Sequence, residues 1–123
     1  MSKEFKSWLK LEIPHIKTTV YFADMKYLQT PSGREESAGG YTCIFGAPIE
    51  ESGKLELCVF FNDIEDFDEY EGYEAILAHE LMHVIQFICQ ELQFDIKEEK
   101  EHTAYLMSYM FESVQNKLKN HGK

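Results

Sequence analysis

Residues His79-Glu80-Leu81-Met82-His83 pair two imidazoles, four residues apart, with a carboxylate beside the first. On a helix, positions i and i+4 project from one face. Both rings can then reach one metal ion, and Glu80 can approach a water held there. Imidazole nitrogen suits zinc, and an adjacent carboxylate can serve as general base, which is the arrangement of a zinc hydrolase site. The setting supports a helix. At about 100° per residue, Leu77, Leu81, Val84, Ile85, Ile88 and Leu92 share one broad apolar face. His79 and His83 fall on the other side with Ala75, Met82 and Gln86, and Glu80 lies between the two faces. Histidines that merely filled a core would sit inside the apolar stripe.

Catalytic zinc usually keeps three protein ligands and one open position. A ligand six residues beyond the second histidine requires a helix-ending glycine. Here the intervening residue is Gln86 and the position is Cys89, which a continuing helix rotates away. A second periodic stretch, from Lys97 to Lys119, carries the apolar stripe Ala104, Met107, Phe111, Val114 and Leu118. His102 falls nearly opposite that stripe. Glu101 falls at its edge, beside Ala104, Tyr105 and Ser108, and the small Ala104 would let two helices approach closely. Glu101 is the preferred third ligand, with His102 and Glu98 as alternatives. The plain alternative for Glu101 is a solvated surface carboxylate.

The run HELMHVIQFI, followed by Glu101-His102-Thr103-Ala104-Tyr105, resembles the zincin metallopeptidases of the gluzincin-like, glutamate-ligand type. More narrowly, it is similar to small metallopeptidases encoded by phages and mobile elements. The resemblance covers the C-terminal helices, and upstream it extends only to the order of elements. It implies a minimal zincin-like fold, Zn²⁺ held by His79, His83 and Glu101, Glu80 as general base, and a peptide or protein substrate. No upstream residue matches an additional transition-state stabiliser. Tyr105, one turn beyond Glu101, could donate to an oxyanion, or its ring could simply pack beside the ligand. Two other readings compete. One is a non-catalytic, metal-binding phage or mobile-element accessory protein that binds a host or phage protein. The other is an acidic structural module in which the motif is coincidental.

The elements expected to position these residues define an α+β fold: a small antiparallel sheet of about three strands packed against two C-terminal antiparallel helices. Phe5 to Leu11 reads as a helical turn ended near Pro14, and residues 17–23 and 41–45 read as strands. Lys54 to Asn62 alternates Leu55, Leu57, Val59 and Phe61 with Glu56, Cys58, Phe60 and Asn62, the period of a half-buried strand. As an exposed edge it could pair with an extended substrate. Residues 30–40 and 46–53 read as loop and turn. The charge run Asp63 to Glu74 lacks the glycine and ligand spacing of an EF-hand. The first helix is expected over Tyr70 to Leu92. A short connection near Gln93 to Ile96 makes the two helices antiparallel neighbours.

The chain has 123 residues and a formal net charge of −10, which fits one domain over 1–123 and disfavours nucleic acid and anionic membranes as partners. Apolar residues form 44% of the chain, enough for a packed core rather than disorder. The three cysteines, Cys43, Cys58 and Cys89, form no CxxC pair and read as small core residues in a reducing cytoplasm. Neither a signal peptide nor a membrane-spanning run is expected. His15 and His121 read as surface residues. Oligomeric state and substrate sequence are not legible.

Overall fold

Alternating Leu11 and Ile13 with Lys10 and Glu12 gives the first segment one apolar face, and it forms a strand rather than the expected helical turn. In the computed structural model, which describes residues 5–28, 39–47, 49–93 and 100–120, strand β1 is Leu9–Ile13. Pro14 cannot donate a ladder bond and starts a one-turn 3₁₀ segment, Pro14–Ile16. Lys17 closes that turn in the left-handed region, φ 50°. The chain returns antiparallel as β2, Thr18–Asp24, whose β-branched and aromatic residues favour a pleated surface.

Strand β3 is Gly40–Ile44, a short helix α1 spans Ile49–Ser52, and β4 is Leu55–Phe61. The sheet order is β1-β2-β4-β3. The expectation of about three antiparallel strands is therefore corrected to four strands in a mixed sheet. Strand β4 enters the middle, parallel to β2 and antiparallel to β3. It cannot be the exposed edge proposed for substrate, because both sides are already paired. Nor is it half-buried. Leu57, Val59 and Phe61 face the helices, while Cys58 and Phe60 lie in a second cluster with Ala23 and Met25. Aromatic rings of Phe5, Tyr21, Tyr27 and Phe45 pack together on that second face.

The charge run contains a 3₁₀ segment, Ile64–Glu69, anchored by buried Ile64 and Phe67. The long helices are α2, Tyr73–Leu92, and α3, Lys100–Asn120. Helix α2 starts three residues later than expected, and α3 is described from Lys100. Leu77, Leu81, Val84 and Ile88 are fully buried against the sheet, and each such side chain stabilises the fold by about 1.5–3 kcal/mol. The Tyr73 hydroxyl donates to Gln115 Oε1 at 2.6 Å, so the start of α2 lies beside the end of α3 and the pair is antiparallel. The loop expected at 30–40 lies outside the described residues except for Gly39 and Gly40. The connection near Gln93 to Ile96 is described only at Gln93, which caps α2 in the left-handed region. Glu98 and His121 also lie outside the described residues. Among the described residues no helix is long and apolar enough to cross a membrane.

Candidate metal centre

Helix α2 presents His79 and His83 with their Nε2 atoms 3.2 Å apart and ring centroids at 4.8 Å. His79 is exposed and His83 half-buried. Zinc–nitrogen bonds of 2.0–2.1 Å at a tetrahedral angle put two ligand nitrogens about 3.3 Å apart, so the pair fits a shared cation. Gln86 supplies orientation. Its Oε1 lies 3.0 Å from His83 Nδ1, which must donate, since an amide oxygen only accepts. A neutral His83 then carries its lone pair on Nε2, the atom facing His79. Gln86 shares the histidine flank because it follows His83 by three residues, one helical turn.

Glu80 is buried where His79 is exposed. Only 6% exposed, it meets the edge strand β3, where the Thr42 hydroxyl donates to its Oε1 at 2.6 Å. This approach needs a residue without a side chain at Gly40, because a Cβ there would lie 2.8 Å from Glu80 Cγ and 3.0 Å from the Phe61 ring. The sequence reading had singled out neither Thr42, Gly40 nor Gln86 as site residues. Two signals are present in the sequence: Gln86 follows His83 by one helical turn on the same flank, and a glycine pair leading into a strand often marks close approach.

The structure does not bring Glu101 to the histidine pair. Among the described residues, no three His, Cys, Asp or Glu side chains come together in a way that could hold a metal ion. Two geometric facts explain this. With Tyr73 opposite Gln115, the level of His83 on α3 is near Tyr105, and Glu101 lies about 6 Å farther along the axis at 1.5 Å per residue. The flank is also wrong. Ala78 shares a groove with Met107, Phe111 and Glu112 of α3, and His79 and His83 lie about 100° and 140° around the helix from Ala78. The histidines therefore face away from α3, on the side nearer β3. Glu101 is exposed. His102, the alternative ligand, is paired with His15 instead, and Tyr105 lines the groove beside them.

No protein-family model matches this chain, and neither a curated protein nor a solved structure is significantly similar to it.

Proposed function

We propose that the chain is a zinc-dependent peptide-bond hydrolase in which Glu80 acts as general base. The observation carrying this reading is the convergence of His79 and His83 Nε2 at 3.2 Å on the helix whose intervening Glu80 is buried and accepts from Thr42. When bound by His79 and His83, zinc would supply a Lewis acid that polarises the scissile carbonyl and makes water a better nucleophile at neutral pH. Glu80 takes the water proton on the oxygen that Thr42 does not hold, and returns it to the departing amine. Thr42 fixes the carboxylate so that little reorganisation accompanies this transfer.

The sheet edge supports a peptide substrate. Phe45 donates to Glu56 O at 2.8 Å, so within the β3–β4 ladder residues 41, 43 and 45 point their backbone groups at β4. The N–H and C=O groups of Gly40, Thr42 and Ile44 face outward, where an extended chain can add as a strand. Thr42 thus offers its backbone to a substrate and its side chain to Glu80.

Cleavage of a peptide library by the purified protein should vanish in Glu80→Gln while zinc is retained, and His83→Ala should lose the zinc. Cleavage that survives Glu80→Gln would refute the assignment of the base. A second reading, a metal-binding accessory protein of phage or mobile-element type without turnover, is favoured by one observation: two imidazoles fill only half of a tetrahedral sphere. Zinc bound by His79 and His83 with no cleavage in the wild-type chain would select it.

A further inference from the structure

We propose that His15 and His102 form a second metal-binding site, taking a borderline divalent cation such as zinc, nickel or cobalt between their Nε2 atoms. The residues come from opposite ends of the sequence and are brought together only by the fold. Their Nε2 atoms are 3.0 Å apart, with ring centroids at 5.0 Å and planes inclined by 29°. The corresponding distances for His79 and His83 are 3.2 Å and 4.8 Å. The described residues include four of the five histidines, and all four are paired nitrogen to nitrogen in this way.

Both rings are held by backbone structure. His15 occupies the middle of the Pro14–Ile16 turn, between a proline with fixed φ and the left-handed Lys17, whose N–H bonds Pro14 O at 3.0 Å. Thr18 Oγ1 donates to Ile16 O, securing the same turn to β2. His102 lies in the first turn of α3, where Thr103 Oγ1 donates to Lys100 O. A hydrogen bond between two neutral rings contributes about 1 kcal/mol. A shared cation has a stronger requirement for the alignment of the two Nε2 atoms, and imidazole is a preferred donor for zinc, nickel and cobalt. The rings open onto a groove of about 360 Å³, which leaves room for water on the remaining coordination positions. A cation near the first turn of a helix opposes the helix dipole. Glu101 in that turn and Glu12 in the groove wall place negative charge nearby, in a chain of net charge −10.

Such a cation would tie the turn before β2 to the start of α3. It is independent of the hydrolase reading, and zinc stoichiometry separates the two. Full-length protein carrying His79→Ala and His83→Ala is titrated with zinc by calorimetry, and dialysed protein is assayed for metal. One zinc per chain is expected, together with a zinc-dependent rise in Tm. Both should disappear when His15→Ala or, separately, His102→Asn is added, with circular dichroism verifying the fold. A folded double variant that binds no zinc overturns the proposal, as does zinc binding that survives both further substitutions. Should the double variant fail to fold, loss of one zinc per chain between wild type and His15→Ala decides the question, since His15 is exposed; unchanged stoichiometry overturns the proposal. Zinc that is lost in His15→Ala but unaffected by His79→Ala and His83→Ala would sustain this site and sink the hydrolase centre.

Discussion

Replacing Thr42 by valine removes one hydroxyl and keeps the branched shape that suits a strand. The lost atom donates to Glu80 Oε1 at 2.6 Å, on a residue only 6% exposed. A buried acceptor left without its donor costs about 1–3 kcal/mol. At an unfolding entropy of roughly 2.1 cal/mol/K per residue, a chain of 123 residues has about 0.26 kcal/mol/K at the midpoint. Each kcal/mol therefore shifts Tm by about 4 °C, and Thr42→Val should lower it by about 4–12 °C. The source of that loss is separable. In a Glu80→Ala background there is no carboxylate to satisfy, so the same substitution should cost less than about 0.5 kcal/mol, leaving a coupling energy of about 0.5–3 kcal/mol. Urea unfolding of the four proteins in this cycle gives the number. Equal costs in both backgrounds, or no cost in either, would refute the idea that β3 holds the base in place.

Three further outcomes follow from the same geometry. Gln86→Leu should weaken zinc binding by about 10–100-fold without loss of helix, because His83 loses the acceptor that fixes its tautomer; competition against a chelating dye reads this. Leu81→Ala empties a fully buried position and should cost about 2–5 kcal/mol by chemical denaturation. Burial pushes the Cys58 thiol well above its ordinary value of 9.0, and the neighbouring Cys43 adds to the shift. The folded state thus prefers the neutral thiol, and this contribution is present below pH 9 and is lost as the unfolded thiol ionises above it. Stability should fall between pH 8 and pH 9.5 and fall less steeply in Cys58→Ala; identical slopes would contradict the assignment.

The elements most legible in the sequence were those with one dominant face. Helix α2 follows from Leu77, Leu81, Val84 and Ile88 at helical spacing, and all four are fully buried. The period of Leu55 to Phe61 correctly gave a strand, yet not its place. An alternating pattern says that one face is apolar; it does not say that Cys58 and Phe60 will meet a second aromatic cluster, nor that β4 will lie parallel to β2. Strand order depends on where the intervening chain crosses the sheet; the continuous apolar run Cys58-Val59-Phe60-Phe61 is the sequence mark of a strand buried on both faces. The first strand was missed for a different reason. Leu9–Ile13 alternates apolar and charged residues at the strand period, but a window starting at Phe5 blurs that alternation, and Pro14 ends either element.

The same distinction governs the site. The spacing of His79 and His83 on one helix is local, so a sequence reading can pair them, and their nitrogens do converge. Glu101 depends on quantities that are not local: how far α3 slides along α2, and which flank of α2 it covers. The Tyr73–Gln115 contact sets the slide, and the groove at Ala78 sets the flank. Both follow from packing against the sheet, so a helical wheel drawn for either helix alone cannot contain them. Since α3 occupies the Ala78 flank, the described element nearest the open side of His79 and His83 is β3. The outward backbone groups of Gly40, Thr42 and Ile44 run along that same side. Under the proposed function, a strand-like substrate seated there would lie on the same side as the strand that holds Glu80.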